Sequence, residues 1–221
     1  GEQKLEVDRR RINSRMSHLK RELESLSNRR AMMRKKRIRN SLPAIAIVGY
    51  TNAGKSTLIN ALTSSDVIVQ DKLFSTLDPT VRRFVLPGRP ACPDGNSMQS
   101  GRREILFIDT VGFIDRLPHN LIEAFKATLE EVSQANILLH VVDISHPKAK
   151  EQSDAVYRVL DEIGAKDKPV ITALNKIDKI SDKSLIDKAL ASFINPVAIS
   201  ALKREGLGGL IASLISIKAK P

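Results

Sequence analysis

A single cysteine in 221 residues, Cys92, rules out an internal disulfide and points to a reducing compartment. Nor is there an apolar run near the roughly 20 residues needed to cross a bilayer. The longest runs, 137–142 and 43–48, are of strand length. No signal peptide stands at the start, although a chain that opens at Gly1 without Met reads as a fragment whose targeting sequence would be missing. Aromatic residues are absent from the first forty positions, so phosphate contact rather than base stacking is the expected mode of any nucleic-acid binding there. What is present is a globular balance of 42% apolar and 28% charged residues, with length for one good-sized core plus an appendage.

Positive charge is abundant and uneven. The net charge is +11, and residues 1–40 hold fourteen Lys/Arg against five Asp/Glu, or +9. The remaining 181 residues therefore carry 11 − 9 = +2. The two parts need separate explanations, and the sequence divides into a basic helical arm over 1–40 and a nearly neutral second domain over 41–221.

In the arm, Leu5, Ile12, Leu19, Leu26 and Met33 recur every seven residues, with Met16 and Leu23 four positions after Ile12 and Leu19. This narrow seam predicts one amphipathic helix from about 3 to 39, roughly 55 Å long. So thin a seam among so many charges needs a second helix against it. No partner is visible downstream, so one is expected before Gly1. From residue 44 the pattern changes. Strands are expected at 44–48, 81–86, 104–108, 137–142, 170–174 and 197–199, with helices at 55–63, 121–134, 148–163, 184–191 and 207–218. Continuous Ile/Val/Leu strands with helical crossovers predict an α/β fold, a six-stranded, mostly parallel sheet covered on both faces. The second and third strands are expected to pair antiparallel, and 87–102, rich in Pro, Gly and Ser, reads as a long hairpin loop between them.

The segment from Gly49 through Asn52, Ala53, Gly54 and Lys55 to Ser56 matches G-x-x-x-x-G-K-[ST], with Thr57 next in the nucleotide-binding stretch, directly after a strand and opening a helix. Its glycines let the backbone curl around phosphates at a helix N-terminus. Lys55 would reach the β- and γ-phosphates, and the Ser56 hydroxyl would ligate Mg²⁺. Asp109-Thr-Val-Gly112 follows an apolar run; Asp109 would hold the Mg²⁺ through its water shell, and Gly112 would offer its N–H to the γ-phosphate. A threonine between these motifs must complete the metal shell and couple the phosphate to a switch loop. Thr76 and Thr80 both compete for that role, but Thr80 could simply begin the following strand, which favours Thr76.

Asn175-Lys176-Ile177-Asp178 follows another apolar strand. A single carboxylate can accept the two N–H donors on one edge of guanine, a pair that adenine lacks, so Asp178 would select the base. Lys176 would lay its stem over the ring, and Asn175 would approach N7 while tying down the phosphate loop. Ser200-Ala201-Leu202 matches a loop whose backbone N–H meets guanine O6. The bland readings, a helix cap for N-K-x-D and a strand-to-helix turn for S-A-L, fail because every station stands in order on alternating strands. These residues together imply a P-loop GTPase.

The motif order resembles the translation-factor-related GTPases, and within them the HflX family. The resemblance rests on Gly-Tyr-Thr-Asn-Ala-Gly-Lys-Ser-Thr-Leu from Gly49, Leu-Phe-Ser-Thr-Leu-Asp-Pro-Thr from Leu73 and Asp-Thr-Val-Gly-Phe-Ile from Asp109. It rests also on Leu-Pro-His-Asn-Leu-Ile-Glu-Ala-Phe-Lys-Ala-Thr-Leu from Leu117 and on the opening Gly1 to Arg10. It implies Thr76 as the switch threonine, with Lys55, Thr76 and Gly112 serving hydrolysis and Ser56, Thr76 and Asp109 serving the metal. It also implies a GTPase that binds the large ribosomal subunit and splits idle or stalled ribosomes. In that family an N-terminal domain and a helical hairpin precede the G domain, so this chain would lack the first domain and most of the first hairpin helix. The 87–102 loop is longer than the family pattern suggests and is assigned no role.

Phe113 stands where many GTPases place a glutamine that orients the attacking water, so slow intrinsic turnover is expected, on the order of 10⁻³ s⁻¹ or below. In related GTPases an asparagine at the place of Asn52 helps to hold K⁺ near the phosphates; the plain alternative is a loop hydrogen bond. In the arm, Arg29, Arg30, Arg34, Lys35, Lys36 and Arg37 fit rRNA phosphates, an anionic membrane or calmodulin, or an ordinary solvated face, and the resemblance favours RNA. Two other functions compete: a membrane-signalling GTPase anchored by its basic helix, and a GTP latch with little hydrolysis. A monomer is expected, in a bacterial-type cytoplasm or else in a mitochondrion or chloroplast.

Overall fold

The computed structural model describes residues 6–18, 21, 22, 25, 32, 43–63, 80–85, 104–113 and 129–217. It separates into two compact units, 1–42 and 43–221. In the first unit the described residues are helical. An Arg10–Glu6 pair at 3.0 Å links successive turns, while Val7, Ile12 and Met16 are exposed. Leu5, Leu19, Leu26, Met33 and all six arm cations singled out above lie outside the described residues.

In the second unit six strands form one sheet. They are β1 (Ala44–Gly49), β2 (Thr80–Val85), β3 (Glu104–Asp109), β4 (Ile137–Asp143), β5 (Val170–Asn175) and β6 (Pro196–Ala198). Their spatial order is β2-β3-β1-β4-β5-β6. Every neighbouring pair is parallel except β2 with β3, which are antiparallel, Thr80 facing Asp109. Pro196 opens the edge strand β6, where a missing N–H costs no ladder bond. From β1 the chain goes out to the edge strand β2, comes back to β3 beside β1 and crosses to β4 on the other side of β1. That reversal leaves a crevice at the carboxyl ends of the strands, the place where open α/β sheets receive ligands.

Alternation along the strands covers both faces. Ile45, Ile47, Ile137, Leu139 and Val141 enter one core with Leu58, Ile59 and Leu62 of helix α1 (Lys55–Thr63). Leu210 and Leu214 of helix α4 (Leu207–Ser216) join the same core. Ala46, Val48 and Leu138 enter a second core with Val132, Phe113 and, from helix α2 (Ala149–Glu162), Val156 and Leu160. Each such Ile or Leu contributes about 1.5–3 kcal/mol on burial. Helix α3 (Lys183–Ser192) buries no residue fully and is capped by Asp182, whose carboxylate accepts from the Ser184 N–H at 2.9 Å. His140, alone among apolar neighbours on β4, meets the Tyr157 ring edge-on at 5.1 Å. Burial, with the charges of Lys55 and Lys150, lowers it to about 3, so it is a neutral core residue. Among the described residues no helix is long and apolar enough to cross a membrane.

Candidate nucleotide-binding site

The residues picked from the sequence converge on the carboxyl ends of β1, β3, β5 and β6, in two groups that share the loop 49–54. In the first group Lys55, at the N-terminus of α1, is 7% exposed. Its Nζ donates to the carbonyls of Gly49 at 3.0 Å and Tyr50 at 2.9 Å. An ammonium has three donors, so one remains for an oxygen of a ligand. Burial pulls this group from its ordinary 10.5 down to about 8, against the opposing charge of Asp109. Ser56 Oγ donates to Asp109 Oδ2 at 3.1 Å. The pair places a hydroxyl and a carboxylate oxygen together, the hard donors that suit Mg²⁺.

Gly112 sits against the same lysine. A Cβ there would lie 2.7 Å from Thr51 Cγ2 and 2.9 Å from Lys55 Nζ, so only glycine admits this approach. Phe113 is laced to the loop: its N–H donates to the Gly49 carbonyl at 3.1 Å, and its carbonyl accepts from the Thr51 N–H at 2.9 Å. Its ring is turned into the second core and is 4% exposed. Thr57 follows in the first turn of α1, partly buried. Thr76 lies outside the described residues, and Thr80 begins β2.

Asn175 holds the second group. Its Nδ2 donates to the Ala53 carbonyl at 2.8 Å and its Oδ1 accepts from the Ala201 N–H at 3.0 Å. One buried amide thus joins the ends of β1, β5 and β6. Gly54, at φ +95°, touches this amide so closely that a Cβ would collide with Nδ2. Lys176 adopts the left-handed conformation, φ 66° and ψ 34°, and reaches back to the Asn52 carbonyl at 2.8 Å. Asn52 is itself left-handed, φ 64°, and exposed. Asp178 lies in a short 3₁₀ turn, Ile177–Lys179, and accepts from the Ser200 hydroxyl. Ser200 and Glu205 exchange backbone hydrogen bonds of 3.1 and 3.0 Å and close the S-A-L loop, at whose tip Leu202 is 74% exposed.

Asp143, the last residue of β4, belongs to none of the motifs that the sequence displays. Its Oδ2 lies 2.6 Å from Lys176 Nζ, and its Oδ1 accepts from the Ser145 N–H and hydroxyl at 3.0 and 2.6 Å. Burial alone would raise this carboxyl; hydrogen bonds from Lys176 and Ser145 together outweigh it and hold the group below its ordinary value. The only sequence signal was an aspartate closing an apolar strand beside a strand that ends in Asn-Lys.

A phosphate-type loop at a topological switch point, a serine–aspartate pair beside its lysine, and an N-K-x-D turn tied to that loop define a P-loop GTPase domain. Residues 44–176 match the family described as 50S ribosome-binding GTPase, and residues 1–37 match the GTP-binding GTPase middle region. The chain belongs to the HflX family. It is 49% identical over 217 residues to the GTPase HflX of Lacrimispora saccharolytica, covering 98% of this chain and 48% of that protein. It is 40% identical over 215 residues to the GTPase HflX of Escherichia coli, covering 97% and 47%. The chain therefore spans about half the length of the curated relatives it matches. Among solved structures it is similar to a point variant of Aquifex aeolicus Era bound to GDP.AlF4-, with TM-score 0.61 and 26% identity over 81% of this chain and 58% of that one. It is also similar to a GTP-binding protein of Sulfolobus solfataricus in complex with GDP, with TM-score 0.57 and 31% identity over 86% and 58%.

Proposed function

We propose that this chain binds GTP and GDP with Mg²⁺ and hydrolyses GTP to GDP and phosphate. It does so slowly alone and faster on the large ribosomal subunit, where it splits or rescues idle or stalled ribosomes. The observation that carries the nucleotide reading is the Asn175 amide, which locks the loop of Ala53 to that of Ala201. Such a lock serves a ligand with a phosphate end and a base end. Lys55 contacts the phosphates, Asp178 reads guanine, and Lys176 flanks the ring. Ser56 and Asp109 would hold Mg²⁺, Ser56 directly and Asp109 through water, and the metal would neutralise charge on the transferring phosphate. Thr76 completes that shell in this reading.

Phe113 has no polar group and its ring faces the core, so the attacking water must be oriented by something else. A ribosomal partner fits, supported by the family description, 50S ribosome-binding GTPase, and by the +9 charge of residues 1–40. Era, a structural neighbour at TM-score 0.58, was solved with MgGDPNP and a stretch of 16S ribosomal RNA. Single-turnover hydrolysis is expected to accelerate at least tenfold when ribosomes are added. Co-sedimentation with the large subunit should be stronger in a GTP-analogue state than in GDP. Equal rates with and without ribosomes would remove the ribosomal part of the proposal and leave the latch reading.

K⁺ is the second proposed cofactor. Asn52 is exposed, and its carbonyl rather than its side chain accepts from Lys176, at 2.8 Å. Hydrolysis is therefore expected to run several-fold faster in K⁺ than in Na⁺ at equal ionic strength; identical rates would dismiss the ion.

A further inference from the structure

Asp143 has no place in the motifs that define the site, yet it touches one of their members more closely than any other group does. The register puts it opposite Asn175 at the carboxyl ends of β4 and β5, and the Ile144 N–H donates to the Asn175 carbonyl at 3.2 Å. The turn after β4 is thereby fixed beside the turn after β5. The two carboxylate oxygens divide their work. Oδ1 takes both Ser145 donors, which orients the carboxylate, and Oδ2 takes the Lys176 ammonium at 2.6 Å. The side chains are only 14% and 22% exposed, so water screens the pair less than it screens an ordinary surface pair.

Lys176 needs such an anchor. Its backbone is in the left-handed region, where a non-glycine residue stays only when its surroundings hold it. Its stem has four rotatable bonds, and a free lysine loses much conformational entropy when it is laid along a flat ligand. With Nζ pinned between the Asn52 carbonyl at 2.8 Å and the Asp143 carboxylate at 2.6 Å, that entropy is lost in folding rather than in binding. The ammonium is fixed at one end and the strand at the other, so the methylene stem between them is stretched across the base side of the site.

We infer that Asp143 is a positioning residue for the guanine site, preorganising the Lys176 stem as the platform on which the base rests and thereby setting how long the nucleotide stays. The inference rests on the nucleotide-binding reading above. Asp143 is not among the residues assigned to the guanine edge and acts through Lys176, whereas Asp178 accepts from the guanine donors. Asp143 therefore governs residence time and leaves the choice of base unchanged.

The test is a double-mutant cycle on dissociation of a fluorescent GDP, using the chain, Asp143→Asn, Lys176→Met and the double variant, with thermal unfolding of each free protein alongside. Asp143→Asn is expected to speed GDP release on the order of tenfold, the usual effect of losing one charge-assisted hydrogen bond. The ratio of guanine to adenine affinity should hold within twofold. In the Lys176→Met background the same change is expected to alter release by less than twofold. Release unchanged in Asp143→Asn, or an equal factor in both backgrounds, overturns the inference, the latter because a merely structural aspartate would act without Lys176. Should Asp143→Asn fail to fold, Ser145→Ala loosens the same carboxylate without removing it. A severalfold faster release that vanishes in Lys176→Met then supports the inference, and no change overturns it. If the unaltered chain itself binds GDP no better than ADP, it is the nucleotide reading that fails, and the cycle makes the two failures distinct.

Discussion

Replacing Asp178 with asparagine is expected to lower GTP and GDP affinity by at least a hundredfold and to create affinity for xanthine nucleotides. The carboxylate offers only acceptors, and guanine presents two donors to it, N1–H and the exocyclic N2–H₂. An asparagine amide must turn one donor toward a donor, which loses two charge-assisted bonds and sets N–H against N–H. At about 1.5–3 kcal/mol for a bond to a charged group, the loss exceeds a factor of a hundred. Xanthine carries a carbonyl in place of the amine, and the amide meets it with a donor and N1–H with an acceptor. The substitution is isosteric, and the Ser200 hydroxyl that now donates to Asp178 can donate equally to an amide oxygen, so the 3₁₀ turn should persist. Competition of GDP, XDP and ADP for a fluorescent guanine nucleotide measures the outcome. Retention of the guanine preference would remove Asp178 from the base site.

The second large effect concerns Lys55, and it has opposite signs on binding and on stability. Lys55→Met is expected to weaken GTP binding by a hundredfold or more, because the only buried ammonium of the phosphate loop among the described residues is lost. The free protein, by contrast, should become more stable. Burial has lowered the group from 10.5 to about 8, which corresponds to roughly 3 kcal/mol of cost for keeping the cation in the fold at neutral pH. The carbonyls that it serves keep other donors: the Gly49 carbonyl accepts from Phe113 N–H at 3.1 Å, and the Tyr50 carbonyl accepts from Ala53 N–H at 3.3 Å.

The pH dependence follows with a definite sign. Between about 8 and 10.5 the unfolded chain binds a proton at Lys55 that the folded chain has begun to release. The free protein thus gains stability as pH rises through that window, and below 8 the cost is constant. In the proposed site it is the charged form of Lys55 that meets the phosphates. Affinity should be flat below pH 8 and fall toward tenfold per pH unit above it, with a proton taken up on binding, while Lys55→Met shows neither trend. Binding calorimetry in two buffers of different ionisation enthalpy reads that proton directly. No uptake at pH 8.5 would show that Lys55 stays charged in the free protein.

Much of this arrangement could be read from the residues, because apolar runs buried on both faces leave few alternatives. The helix at 55–63 has the expected bounds, and the antiparallel pair and the parallel remainder lie where the pattern puts them. Four strands end one residue beyond the expected bound, while β2 and β6 each lie one residue earlier than expected. Hydropathy stops at Val48, Ile108, Val142 and Leu174, while the ladder continues for one more residue to Gly49, Asp109, Asp143 and Asn175. Those added residues are polar or glycine, so a hydrophobic pattern is blind to them, yet they are the ones that line the crevice. The left-handed turn at Lys176 escaped for a different reason. Nothing local favours it, and it is held by Asn52 and Asp143, which lie far away in sequence. Asp143 itself reads as an ordinary polar strand end until β5 is laid beside it. Thr76, the arm cations and the 87–102 loop lie outside the described residues and rest on the sequence alone.

The amide of Asn175 has a kinetic corollary. Ala53 and Ala201 stand 148 positions apart, and each shares one hydrogen bond with the same side chain. In the proposed binding mode one side chain thus holds both the loop that would seat the purine and the loop that would cradle the pyrophosphate. A nucleotide seated across both loops is therefore expected to leave in one step, and its release to follow a single exponential.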